Sequence, residues 1–369
     1  MQVCTRCLMD ESDVNIRFTA EGFCNHCETS IQRWKSPEFQ NKSLIQLELE
    51  KSLEKIKRSG KGKQYDCIIG LSGGVDSTYV AYLVKKVFGL RPLAVHLDNG
   101  WNSELAVRNI DKILDRLDID LVTDVLDWDE FKSLQKAFLK ASVVDMELLT
   151  DHAIGVALWK IARRFNIAYF ISGFNFQSEN IMPPSWSYPY KMDSLNIKDI
   201  NKKFGELSKF HSFRFLSFPE FFSFGKNQMT LFPILNFVEY EKSKAIEIIS
   251  KELGWRNYGN KHDESVFTKF YQDILLFEKF GIDKRKAHYS SLICTDQISR
   301  SEAASKINNP PLSPDARIKS IDYVRKKLEI SSEEFESIMS SPPRDHWEFA
   351  SYAKNKQRVG NVLRKLKLR

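Results

Sequence analysis

Six consecutive residues, Ser72-Gly73-Gly74-Val75-Asp76-Ser77, constrain the fold of this chain more than any other feature. They follow a hydrophobic run at 65–71 that reads as a buried strand. They precede apolar spacing at 78–88 that predicts a helix. A strand, a glycine turn and a helix in that order make an anion site. Gly73 and Gly74 let the backbone approach a phosphate, and the helix start presents unpaired N–H groups with partial positive charge. The hydroxyls of Ser72 and Ser77 add donors. Asp76 would repel a bare phosphate, but it fits if it helps hold Mg²⁺ on a pyrophosphate. Lys61-Gly62-Lys63 lacks the G-x-x-x-x-G-K-[ST] spacing, so this is a different phosphate loop from Walker A.

The flanking pattern extends the strand–helix alternation. Strands are expected at 92–97, 119–126 and 167–171, and helices at 43–58, 104–117, 130–140 and 146–165. Alternation of this kind implies an α/β fold with a doubly wound parallel sheet. Such sheets bind ligands at the carboxyl ends of their strands, which gathers 72–77, the turn at Asp98 and the turn at Ser172-Gly173 into one site. Asp98 is equally readable as an ordinary turn acid.

Cys4-x-x-Cys7 and Cys24-x-x-Cys27 are two pairs with 16 residues between them, a spacing that suits a structural zinc ribbon. His26 could substitute as a ligand, though four thiolates already close a tetrahedral site; redox pairs or an iron–sulfur cluster are the weaker readings. Cys67 and Cys294 lack partners and read as core residues.

At 369 residues the chain should hold two or three units. We expect a zinc ribbon plus helix at 1–60, a nucleotide-binding domain at 61–180, and a mostly helical substrate and partner region at 181–369. The net charge of +7 suits anionic ligands and permits RNA. The start carries no signal-peptide core and no run is apolar enough for a membrane span, so a cytoplasmic location is expected. Ten phenylalanines fall between Phe204 and Phe237; most should be core, with 210–224 a candidate docking surface. A second polar cluster lies at 254–271. If helical, it sets Lys261, Glu264 and Thr268 on one face. There a lysine could neutralise phosphate charge and a glutamate could accept protons from ammonia, or both could be solvated ion-pairing residues.

The loop resembles that of the PP-loop ATP pyrophosphatases, which adenylylate a substrate oxygen and release pyrophosphate. Taken with the CxxC pairs, G-W-x-x-Y-G at 254–259, K-H-x-E-S-x-F-T-K-F at 261–270 and F-G-I-D-K-R-K-A-H at 280–288, the chain resembles the N-acetyl sugar amidotransferase family over nearly its whole length. Asn260 departs from that pattern, where a second glycine is expected. The resemblance implies ATP with Mg²⁺, held by Ser72, Gly73, Gly74, Asp76 and Ser77, with Leu97-Asp98 near adenine and Ser172-Gly173 lining the nucleotide pocket. It implies structural Zn²⁺ on Cys4, Cys7, Cys24 and Cys27, and a catalytic set of Asp76, Lys261, Glu264 and Lys269. The implied reaction turns the acetamido group of an N-acetylated, UDP-linked sugar into an acetamidino group during lipopolysaccharide O-antigen or related glycan biosynthesis. Gln2 excludes an N-terminal cysteine nucleophile, and no cysteine elbow of a glutaminase is visible. Ammonia is therefore expected from a separate glutaminase, through a cyclase-like channel subunit similar to imidazole-glycerol-phosphate synthase, with no nucleic-acid partner. The rival is a tRNA-thiolating enzyme, which would need a catalytic or cluster-binding cysteine near the loop. An asparagine-synthetase-like ligase would carry its own glutaminase domain, and a zinc-ribbon scaffold would have no use for Asp76.

Overall fold

The computed structural model describes residues 1–224, 229–257 and 264–355. Its centre is a parallel sheet of β1 (Cys67–Gly70), β2 (Pro92–Asp98), β3 (Asp120–Val125), β4 (Tyr169–Ser172) and β5 (Thr230–Pro233), in the order β3-β2-β1-β4-β5. β1 reads as an unbroken hydrophobic run because both its faces are covered. Cys67 and Ile69 pack into one core, and Ile68 packs into another with Leu158 and Ile161. The chain winds outward from β1 through β2 to β3, then returns to the other side of β1 with β4. The switch point thus falls between β1 and β4, where the loops at 71–74 and 172–173 emerge.

The expected helices form with small shifts at their ends. They are α2 (Lys42–Ser59), α3 (Val75–Tyr82), α4 (Glu104–Leu117), α5 (Trp128–Ala141) and α6 (Leu148–Phe165), and a further helix that the sequence reading had not marked, α1 (Asn25–Trp34), begins within the second cysteine pair. Ser103 explains the sharp start of α4, since its side chain accepts from the Ala106 N–H. α3 runs on as a π-helical turn over Leu83–Val87.

One expectation about boundaries is corrected. The sheet draws on residues beyond 61–180, because β5 comes from the phenylalanine-rich stretch and pairs with β4. It is a four-residue edge strand ending at Pro233, a place where proline is tolerated, so its sequence signal is weak. Helix Lys242–Leu253 and α2 also pack on this unit: Ala245, Ile249, Leu49 and Ile56 share a core with Ile69 and Val80.

α5, the start of α6 and most of the other later helices build a second core that also takes in Cys4, Cys7, Cys24 and Cys27. Within the candidate docking stretch, Phe213 is buried in this core and Leu216 is buried as well. Phe213 stacks on Phe131 and His152 at centroid distances of 6.3 and 5.6 Å. Their loop is held by Glu130, buried on α5, whose carboxylate accepts from the N–H groups of His211 (2.5 Å), Ser212 (2.9 Å) and Phe213 (3.0 Å) and from Ser212 Oγ (2.7 Å). Burial alone would raise its pKa, but these donors outweigh it and hold the carboxyl below its ordinary value. A depressed carboxylate stabilises the fold above its unfolded pKa of about 4.3 and loses that contribution as pH falls through the folded value. Glu130→Gln should therefore cost roughly 2–3 kcal/mol at neutral pH, the scale of hydrogen bonds to a charged group. Urea titrations at pH 7 and at acid pH check this, with the difference from wild type shrinking in acid.

Candidate active site

The 72–77 loop is already shaped for a phosphate. Gly73 has φ +79°, and a Cβ there would lie 2.5 Å from the Ala106 carbonyl oxygen, so glycine is required. Gly74 caps α3 without a side chain and leaves the first-turn N–H groups open to a ligand. Ser72 Oγ and Ser77 Oγ lie 3.2 Å apart; the Gly74 N–H donates to Ser72 Oγ (3.3 Å) and Ser77 Oγ donates to the Gly74 carbonyl (3.2 Å). Trp255 secures the loop from outside, its indole Nε1–H donating to the Gly73 carbonyl at 2.9 Å. Trp255→Phe removes this one bond, worth about 1 kcal/mol. It should raise KM for ATP roughly fivefold, measured by AMP release, with a modest fall in melting temperature from the packing that the smaller ring gives up.

Asp76 sits in the first turn of α3, where the Tyr240 hydroxyl donates to its carboxylate. The turn after β4 closes against it: a Cβ on Gly173 would meet Asp76 Cβ at 3.2 Å. Ser172 Oγ is buried with no hydrogen-bond partner among the described residues. The structure thus brings 72–77 and 172–173 together, with a glycine cradle and an orphaned hydroxyl that fit a bound nucleotide.

Beside Ser72, over the ends of β1 and β2, opens a cavity of about 400 Å³. Leu97 lines it. Asp98 does not; its carboxylate accepts from the Gly100 N–H (2.9 Å) and Asn102 Nδ2 (3.3 Å) and so shapes the turn after β2. His96 also lines the cavity, with Nδ1 2.8 Å from the Leu71 carbonyl and Nε2 3.0 Å from Asn102 Nδ2. With those partners Nδ1 donates to the carbonyl and Nε2 accepts from the amide. No local pattern marks His96, which falls within an ordinary strand alternation.

The second polar cluster reaches the same cavity. Lys261 lies outside the described residues. Glu264 and Thr268 both line the cavity, but they do not share a helical face, because the helix starts only at Val266, behind an N-cap at Ser265. Asn102 bridges to Ser265, and the Ser103 N–H donates to the Glu264 carbonyl at 2.9 Å, which pins this turn to the mouth of β2. Lys269 is not in the cavity wall; its ammonium pairs with Asp273 at 3.2 Å. Glu147 at the N-cap of α6, Asp151 in its first turn and Lys284 also line the cavity, and no spacing motif had marked the two acids.

The four N-terminal cysteines converge far from this cavity in sequence but within one buried cluster, all Sγ atoms within 4.8 Å of one another. Cys4 and Cys27 Sγ are 3.7 Å apart, and Cys7 and Cys24 Sγ are 3.5 Å apart. Tetrahedral zinc with Zn–S of about 2.3 Å requires sulfur separations of about 3.8 Å, so the donor set fits zinc. His26 is turned away to Asp13, at 2.6 Å.

Residues 47–179 match the NAD synthase family, and residues 264–364 match a family described as LPS biosynthesis protein WbpG-like, C-terminal domain. The chain is a PP-loop protein related to the WbpG-like proteins. The WbpG-like match begins at Glu264 and includes Thr268 and Lys284, three residues of the cavity wall. An uncharacterised protein of Methanocaldococcus jannaschii is 27% identical over 158 residues, 43% of this chain; the match spans 53% of that relative's length. Among solved structures, NMN synthetase from Francisella tularensis is 16% identical, covering 74% of this chain and 98% of that one, with a TM-score of 0.37. An NH3-dependent NAD synthetase from Campylobacter jejuni is 13% identical, covering 81% and 98%, with a TM-score of 0.34. No helix among the described residues of this PP-loop protein is long and apolar enough to cross a membrane.

Proposed function

We propose that this protein is an ATP-using, AMP-forming amidotransferase that converts the acetamido group of an N-acetylated, UDP-linked sugar into an acetamidino group in lipopolysaccharide or related glycan biosynthesis. The observation that carries this reading is the juxtaposition of a phosphate loop with a carboxylate-bearing cavity of sugar size, walled in part by the WbpG-like segment. An amide carbonyl resists ammonia because its oxygen is a poor leaving group. Attack of that oxygen on the α-phosphate of ATP forms an O-adenylyl imidate and expels pyrophosphate. The Ser72–Ser77 loop receives the pyrophosphate through the open N–H groups of α3 and the two serine hydroxyls. Asp76 would hold magnesium, which supplies charge neutralisation on the departing phosphates. Ammonia then attacks the imidate carbon, AMP leaves with the C–O bonding electrons, and a cavity carboxylate receives the proton that nitrogen loses.

In this reading ammonia comes from a separate glutaminase through a cyclase-like channel subunit. Ammonium chloride at high concentration should bypass both. The test is AMP and pyrophosphate release with ATP, Mg²⁺ and ammonium chloride, against a panel of UDP-linked N-acetylated sugars and bulk tRNA. Sugar-dependent AMP release, with a product in which one oxygen is replaced by NH, supports the reading. Stimulation by tRNA alone would transfer the protein to the tRNA-modifying enzymes.

A further inference from the structure

We propose that Glu147 is the base of the amidation step, forming with Lys284 a polar subsite that binds ammonium beside the acceptor and takes its proton. The proposal rests on the amidotransferase reading above and assigns the nitrogen-handling half of that site.

Three observations place it. Glu147 immediately precedes α6, the helix that forms one wall of the cavity, and the cavity it lines is the one that Ser72 of the phosphate loop also lines. Its Oε1 is buried with no hydrogen-bond partner among the described residues, a costly arrangement for a group with only a structural role. Among the described residues the cavity wall carries Glu147, Asp151 and Glu264 against one lysine, Lys284, a balance that favours a small cation over a further phosphate.

The neighbouring acids are otherwise engaged. Asp151 pairs with Lys191 at 3.0 Å, and Lys191 also holds Asp145 at 2.5 Å. Glu264 makes a contact of its own, and its Oε2, like Glu147 Oε1, is buried without a hydrogen bond among the described residues; of the two, only Glu147 stands beside α6 at the same wall as Asp151. Lys284 makes no ion pair among the described residues, so its ammonium is available to an oxygen of the acceptor or of the adenylyl group.

Glu147 is also tuned for proton transfer near neutrality. Burial pushes its carboxyl up to about 7; Asp151 and Asp145 act in the same direction, while Lys284 and the Thr268 hydroxyl oppose them. The step balances: ammonium gives one proton to the Glu147 carboxylate, the freed ammonia forms the C–N bond, and AMP departs as the C–O bond breaks. The nitrogen's surplus proton leaves through the same carboxylate once it has discharged the first to solvent.

The test separates this step from adenylylation. In Glu147→Gln, sugar-dependent exchange of labelled pyrophosphate into ATP should stay within about twofold of wild type, while ammonium-dependent amidine formation falls roughly a hundredfold or more. Hydroxylamine, a weak base already unprotonated at neutral pH, should restore turnover in the variant. Glu147→Asp, which keeps a carboxylate, should lie between the two. A raised carboxyl pKa destabilises the fold as pH climbs from the unfolded value towards 7, so Glu147→Gln should also melt higher than wild type at pH 8. Amidine formation within threefold of wild type overturns the proposal. So does equal loss of exchange and amidation in a folded variant, which would make Glu147 a structural or adenylylation residue. Absence of sugar-dependent exchange in the wild-type protein would overturn the amidotransferase reading, and the proposal with it.

Discussion

Asp76→Asn is expected to lower AMP formation roughly a thousandfold, the scale of several kcal/mol of lost transition-state charge stabilisation. The fold should survive. The Tyr240 hydroxyl donates to Asp76, and an asparagine Oδ1 at the same place can still accept that bond. Tyr240 remains a donor because burial, reinforced by the Asp76 charge, pushes its hydroxyl well above the usual phenol range. The helix start is likewise untouched, since Gly74 rather than Asp76 is its cap. The variant should therefore melt within a few degrees of wild type while losing its magnesium-dependent turnover. An active Asp76→Asn protein with an unchanged magnesium requirement would remove the metal role from this residue.

Loss of zinc should have the largest effect on stability. The cysteine-bearing segment is not an appendage; it is stitched to the helical region. The Leu8 N–H donates to Ser290 Oγ at 3.0 Å, and Lys286 pairs with Asp10. Arg300 donates to the carbonyls of Cys4 and Cys7, each at 3.1 Å. Ser185 Oγ reaches Asp13 at 2.6 Å, and the Trp186 indole reaches the Ser12 carbonyl at 3.3 Å. All four cysteines are also fully buried in the larger core. A segment this short cannot bury enough surface to fold alone, so the energy of metal binding becomes folding energy. Cys4→Ser, or a strong chelator, should empty the site and lower the melting temperature by about 10 °C, given several kcal/mol at about 2–4 °C each. Metal analysis of the wild type should return one zinc per chain. A zinc-free Cys4→Ser protein with full stability and activity would reject the structural assignment.

Both effects were foreseeable from spacing alone because the chemistry is local. Two CxxC pairs at this spacing suit a single metal, and S-G-G-V-D-S between a strand and a helix suits a phosphate turn in an open parallel sheet. The first four strands and the helix at 104–117 were equally legible, since continuous apolar runs and a serine cap act over a few residues. β5 was not. Its four residues gain their place from pairing with β4, a contact made across a long stretch of chain, and Pro233 marks an edge strand no more clearly than a loop. The shared helical face expected for Glu264 and Thr268 failed for a related reason. Pairing of Asn102 with Ser265 holds the backbone extended there, and a tertiary bridge of that kind overrides a local periodicity.

The cavity wall divides in the same way. Ser72, Gly73 and Gly74 announce their chemistry through backbone geometry that only particular residues tolerate. Glu147, Asp151, Lys284 and His96 carry no such signature, because a carboxylate on a helix or a histidine in a strand becomes chemically distinct only when burial strips its water and sets other charges beside it. Motifs whose physics is complete within a few residues, the glycine turn after β1 and the four-cysteine cluster, were thus legible in the sequence alone. The three-dimensional fold decided the rest: which acids share a desolvated space with that turn, and which lysine stands opposite them.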